Sequence, residues 1–151
     1  MISNVFSINF LSIKFDESQM KSILSLNQNT LINAGAGSGK TTTIIGRMIY
    51  LIADLDVSYD DIIVIVFNKA VAIEIREKLK AISNQISKNK LLLQKYPNLD
   101  IKIKKLASDK FGQKHIHTFH SYAHYIINRY GGNNYNLSDL APRRPKELKP
   151  I

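Results

Sequence analysis

Residues 31–45 read LINAGAGSGKTTTII, and the eight at 34–41 read AGAGSGKT. Everything else in the chain takes its meaning from this stretch. The short apolar run TLINA at 30–34 predicts a buried strand. Gly35, Gly37 and Gly39 let the backbone after it turn tightly and aim its N–H groups inward. A helix is predicted over 39–53, with Ile44, Ile45, Met48, Ile49 and Ile52 facing inward, and its first turn brings a positive dipole end to the loop. Such a strand–loop–helix cradles phosphate. The backbone of Ala34, Gly35, Ala36, Gly37, Ser38, Gly39 and the first helical residues, Thr42 included, supplies the nest. Lys40 neutralises the β- and γ-phosphates, and the Thr41 hydroxyl ligates Mg²⁺. Ala34 stands where a first glycine is usual. A glycine-rich hairpin is the competing reading, and the flanking strand and amphipathic helix argue against it. The loop alone does not separate a kinase from a GTPase, a transporter ATPase or a helicase.

Working outward, residues 16–26 predict a helix that Asp16 or Ser18 can cap, with Met20, Ile23 and Leu24 as its apolar face. Phe6, Ile8 and Phe10 alternate with Ser7 and Asn9, which suits a short strand. IIVIVF at 62–67 is apolar throughout, as strands covered on both faces are. Residues 68–86 follow as a long helix, with Ala72, Ile75, Leu79, Ile82 and Ile86 at steps of three and four. From 87 to 114 the pattern weakens. Leu91, Leu92 and Leu93 hint at a helix, and the alternation in IKIKKL (101–106) at a strand. HIHTF (115–119) predicts another core strand, and 120–130 a helix that Gly131 and Gly132 stop. Three strand–helix units imply an α/β fold, a parallel sheet flanked by helices, with phosphate ligands beyond the carboxyl ends of its strands.

The 151 residues suit one domain or part of a larger one, and the hydrophobic fraction of 44% is ordinary. No cysteine is present, which excludes disulfides and thiolate metal sites. The formal charge is +9 and the pI about 9.7, so a polyanion is the expected partner, nucleic acid first; a solvated lysine-rich surface is the alternative. The lysines of 87–114 (Lys88, Lys90, Lys95, Lys102, Lys104, Lys105, Lys110, Lys114) carry the same two readings. No apolar run approaches a membrane span, no signal peptide is visible, and a cytoplasmic location follows by default. His120 and His124 are four apart on a predicted helix, but no glutamate or cysteine completes a zinc site.

Taken in order, FDESQMKSIL, AGAGSGKT, FNKAVAIEIREKL and HTFHSYAHYII resemble the N-terminal ATPase domain of superfamily 1 helicases of the UvrD/Rep-like group. The resemblance covers about residues 15–130, with 87–114 as an insertion, 1–14 as an extension and 133–151 as a disordered tail. It implies a P-loop NTPase fold, a partial RecA-like domain, with ATP and Mg²⁺ as cofactors. Gln19 then matches the adenine-reading glutamine. An amide can accept and donate on one edge, the pairing that reads adenine in DNA. Phe67, Asn68 and Lys69 match one DNA-contacting motif of the family, and Thr118, Phe119, His120 and Ser121 another, which implies single-stranded DNA as partner. Hydroxyls, amides and imidazole can bond phosphate or sugar oxygens, and aromatic faces at Phe67, Phe119 and Tyr122 can stack on bases or fill the core. Ile65, Val66 and Phe67 depart from the family's Thr-Phe-Thr.

One stretch that the family carries does not appear. An apolar strand ending in Asp, often Asp-Glu, holds Mg²⁺ and orients the attacking water in P-loop ATPases. Asp60 and Asp61 precede their strand, and Asp139 and Glu147 follow none. The expectation is an ATP-binding N-terminal portion of a helicase, not an active helicase alone, with a second polypeptide able to supply the missing motifs. The alternatives are a non-catalytic DNA-binding or regulatory protein derived from a helicase, and another P-loop enzyme such as a small-molecule kinase.

Overall fold

The structure is a computed structural model that describes residues 5–7, 13–27, 29–35, 37–108 and 115–131. Its elements are a 3₁₀ turn at Val5–Ser7, α1 (Glu17–Ile23), α2 (Lys40–Ala53), a second 3₁₀ turn at Tyr59–Asp61, β1 (Val64–Val66), α3 (Lys69–Ile86), α4 (Lys90–Lys95), α5 (Leu99–Leu106), β2 (Ile116–Thr118) and α6 (Phe119–Tyr130).

Among the described residues, two strands pair. They run parallel, with Val64 opposite Ile116, Ile65 opposite His117 and Val66 opposite Thr118. Side chains alternate across the sheet, so Val64, Val66 and Ile116 share one face and Ile65 and His117 the other. The first face meets the core. There α2 buries Ile45, Met48, Ile49 and Ile52, and α3 buries Ala72, Ile75, Leu79, Ile82 and Ile86. On the second face α6 lays Tyr122 and Tyr125 against His117, ring centroids 5.5 and 5.4 Å away. Helices thus lie on both faces of a small parallel sheet, an α/β arrangement.

The second face is only partly covered. Ile63 and Ile65 are 47% and 39% exposed, so the expectation of a β1 region buried on both sides holds for one side. No residue of α6 is fully buried, and its Tyr122 and Tyr125 rings pack on His117 of β2. Ile44 likewise turns outward, unlike the other four apolar residues predicted inward on α2.

Three further expectations are corrected. The run at 30–34 is not a paired strand; it precedes the glycine turn as an irregular segment, with Leu31 96% exposed. A strand persists through its ladder, and β1 and β2 bond each other while this segment bonds neither. Near the N-terminus, Val5–Ser7 make a 3₁₀ turn instead of a strand, tied down where Val5 N donates to Asp54 Oδ2 at 2.8 Å; Ile8, Asn9 and Phe10 lie outside the described residues. IKIKKL is helical. The alternation at 101–106 is a coincidence within a longer helical period, because Leu99, Ile103 and Leu106 are spaced four and three apart and are all fully buried.

That last correction changes the weight of the 87–108 stretch. Its helices complete the core: Leu92 from α4 and Leu99, Ile103 and Leu106 from α5 join the cluster of α2 and α3. Ser83 of α3 donates to the Asp100 carbonyl at 2.8 Å, and the Tyr96 hydroxyl donates to Asp54 Oδ1 at 2.6 Å. Several lysines here have local partners. Lys102 pairs with Asp56 at 3.3 Å, Lys95 lies over the Tyr96 ring and Lys105 over the Tyr59 ring. Lys110, Lys114, Gly132 and the tail lie outside the described residues.

Candidate functional site

The loop is built by the residues that the sequence singles out. Gly37 and Gly39 have φ of 76° and 78°, the left-handed region that only glycine enters freely. Gly39 is the N-cap of α2 and has no side chain with which to cap it. The first backbone N–H groups of α2, from Lys40, Thr41 and Thr42, therefore receive no cap from position 39 and sit at the positive helix end. Lys40 folds back onto the turn. Its Nζ donates to the Ala34 carbonyl at 2.9 Å and to the Gly35 carbonyl at 2.5 Å. An ammonium has three protons, so two carbonyls fix its position and one N–H remains for an anion. Ser38 Oγ also donates to the Gly35 carbonyl, at 2.8 Å, closing the turn from the other side. Ala36 lies outside the described residues.

α1 reaches the loop from outside. Asp16 caps it by accepting from Gln19 N at 2.8 Å, and Gln19 Oε1 accepts in return from Asp16 N at 3.1 Å. The other end of the same amide, Nε2, donates to the Ser38 carbonyl at 3.1 Å. Arg47 of α2 locks the pair of helices by donating to the Ile23 carbonyl at 2.6 Å. Between α1 and the loop lies a cleft of about 200 Å³, lined by Asp16, Ser18, Gln19, Ser22, Ile32, Asn33, Ala34, Ser38, Lys40 and Thr43. Of these ten, Gln19, Ala34, Ser38 and Lys40 are among the candidate site residues singled out from the sequence, and the other six are not. The capping pattern Asp-x-x-Gln at 16–19 was the available signal for Asp16.

The expected DNA contacts divide into two groups. Phe67 is 89% and Phe119 64% exposed, at the carboxyl ends of β1 and β2, each one residue beyond the registered pair Val66–Thr118. Lys69 and His120 are exposed beside them. These four offer two ring faces, a cation and an imidazole to solvent. Asn68, Thr118 and Ser121 are engaged with the backbone. Asn68 caps α3 by accepting from Val71 N at 2.9 Å. Thr118 accepts from Ser121 N at 3.3 Å while Ser121 Oγ accepts from Thr118 N at 3.0 Å, a reciprocal cap on α6. Their side chains set the helix starts that aim the aromatics. Tyr122 is not a free face either; it stacks on Tyr125 at 6.2 Å.

His124 Nδ1 is 2.8 Å from Asn128 Nδ2, an ordinary pairing along one helix face. Among the described residues no group of three His, Cys, Asp or Glu side chains is placed to hold a metal ion, and no helix is long and apolar enough to cross a membrane.

Comparison with known proteins decides the family. The sequence model of the UvrD/REP helicase N-terminal domain matches residues 15–147. The chain belongs to the UvrD/REP helicase family. Its relatives include proteins named as one subunit of an ATP-dependent helicase/nuclease. The one from Clostridium acetobutylicum is 33% identical over 138 residues, covering 89% of this chain and 10% of the relative. Those of Clostridium perfringens and Clostridium beijerinckii are 34% identical over 134 residues and 33% identical over 132, with 87% and 85% of this chain covered and 10% of each relative. The chain thus spans about a tenth of the length of these relatives.

Proposed function

We propose that this chain binds MgATP at the 34–42 loop and single-stranded DNA at the strand tips, as the N-terminal nucleotide- and DNA-contacting part of a UvrD-like helicase. The observation that carries this reading is the seat of Lys40. Two loop carbonyls hold its ammonium on the turn that leads into α2, whose start carries no side-chain cap, an arrangement suited to an anion. The donor set suits a triphosphate: backbone N–H groups for the phosphate oxygens, Lys40 for the β- and γ-charge, and the Thr41 hydroxyl for Mg²⁺. Bound MgATP would bring the reactive γ-phosphate bond and the metal's charge. This chain would hold and orient both. Membership of the UvrD/REP family supports the same reading for the loop, and for Phe67 and Phe119 as DNA contacts.

Turnover is a separate matter. The cleft, at about 200 Å³, is smaller than the roughly 300–1,000 Å³ of a complete small-molecule pocket, so it reads as one wall of a nucleotide site. Among the described residues the carboxylate on that wall is Asp16, which is committed to capping α1. We therefore assign binding to this chain, and hydrolysis and strand separation to its assembly with further family motifs, on the same or a second polypeptide. A small-molecule kinase finds no support, because among the described residues lining the cleft no carboxylate other than the capping Asp16 could act as a base.

The test is titration of a fluorescent ATP analogue with Mg²⁺ into the wild-type protein and Lys40→Ala. Binding that Lys40→Ala weakens by about tenfold or more supports the assignment. Equal affinity in the two proteins contradicts it.

A further inference from the structure

We infer that Gln19 is a positioning residue for the phosphate loop, bracing it from α1, in addition to any contact it makes with a base. The inference rests on the nucleotide reading above and goes beyond it. Three observations meet in one carboxamide. Its Oε1 accepts from Asp16 N at 3.1 Å, which anchors the amide to the start of α1. Its Nε2 donates to the Ser38 carbonyl at 3.1 Å, across 19 residues of sequence. The same nitrogen lies against Gly39, where an added Cβ would meet it at 2.6 Å.

Ser38 and Gly39 are the hinge of the nest. Gly39 holds the positive φ that turns the chain into α2, and its position decides where the first amides of that helix point. A hydrogen bond on the preceding carbonyl fixes the Ser38–Gly39 peptide plane, because the peptide is rigid and the carbonyl and the Gly39 N–H move together. Gln19 therefore holds the orientation of a phosphate-facing N–H without touching phosphate. Each amide end has a second site, since the nitrogen has two protons and the oxygen two lone pairs. A base edge can engage the amide while the brace stays in place, so base occupancy and phosphate affinity are joined through one side chain. The lack of a Cβ at position 39 serves both the turn and the close approach of the amide.

The discriminating ligand is one with no base. Inorganic tripolyphosphate and ATP, each with Mg²⁺, are titrated into wild-type protein, Gln19→Ala and Glu17→Ala by calorimetry. Losing one hydrogen bond that orders a loop should weaken tripolyphosphate about three- to tenfold in Gln19→Ala. Glu17→Ala removes an exposed acid from the first turn of α1, outside the cleft, and leaves the Nε2 bond, so it should not weaken that ligand. Wild-type tripolyphosphate affinity in Gln19→Ala, with only ATP weakened, would mean that Gln19 reads the base alone and would overturn the inference. Equal weakening in Glu17→Ala would assign the effect to the stability of α1 and overturn it too. A wild-type protein that binds neither ligand refutes the nucleotide reading itself. The brace is then decided in ligand-free protein by NMR: the Ser38 carbonyl-carbon resonance moves in Gln19→Ala and stays in Glu17→Ala if the bond exists, and stays in both if it does not.

Discussion

Removing the Phe67 ring should weaken single-stranded DNA binding while leaving the fold intact. At 89% exposure the ring gives up little packing on truncation, so Phe67→Ala should change stability by no more than about 0.5 kcal/mol. Stacking a base on an aromatic face contributes about 1–3 kcal/mol. The expected loss of affinity is therefore about 5- to 150-fold, from an RT of about 0.59 kcal/mol. Phe119, at 64% exposure and next to it in register, should behave similarly, with a smaller effect because part of the ring is already covered. The assay is fluorescence anisotropy of a labelled oligothymidylate at several salt concentrations, alongside thermal melting of each variant. The salt slope separates stacking from charge. Phe67→Ala removes no charge and should leave the slope unchanged, whereas Lys69→Ala should reduce it by about 0.7 if Lys69 meets a phosphate. An unaltered Kd with an unaltered melting point in Phe67→Ala would refute the stacking role. A lowered melting point with an unaltered Kd would show that the ring is a packing element after all.

Leu106→Ala should destabilise the protein by about 2–5 kcal/mol in urea unfolding, because the side chain is fully buried in the α3–α5 core; a change below about 1 kcal/mol would mean that α5 is dispensable. Asn68→Ala should lose about 0.5–2 kcal/mol through the missing α3 cap, and Asn68→Asp should keep that stability while weakening DNA binding by its added charge, measured by the same unfolding and anisotropy assays. Burial, and then the hydrogen bond to Asp54 and its charge, push the Tyr96 phenol well above its ordinary value. The folded state thus keeps this proton after the unfolded chain has lost it. Stability is intact below about pH 10 and falls as pH rises beyond it. Tyr96→Phe should lessen that alkaline fall in unfolding followed from about pH 8 to 11, and an unchanged slope would remove Tyr96 as its source.

How far the sequence could be read depended on whether the signal was local. The glycine turn into α2 was legible because its requirements are local: glycine where φ is positive at 37 and 39, and a helix start that follows at once. α3 was legible because Ala72, Ile75, Leu79, Ile82 and Ile86 repeat at helical steps along its length. IKIKKL misled because six residues fit a period of two as well as part of a longer helical period, and Leu99, which settles the matter, lies outside the window. TLINA misled differently. An apolar run reports a preference for burial, and a strand needs a partner's ladder besides. At the strand tips, residue type gave the chemistry and not its use. Asn68, Thr118 and Ser121 are the types that bond phosphate oxygens and equally the types that cap helices, and only the geometry shows them capping.

On the proposed function, the 34–42 loop holds the triphosphate of MgATP while hydrolysis requires groups beyond this chain. The most direct measurement is phosphate release from MgATP by the purified chain, with and without single-stranded DNA, beside Lys40→Ala, after binding of the nucleotide has been established by calorimetry. Lys40-dependent binding with no Lys40-dependent release is the expected result. DNA-stimulated release that Lys40→Ala abolishes would contradict it and would place a catalytic carboxylate within these 151 residues.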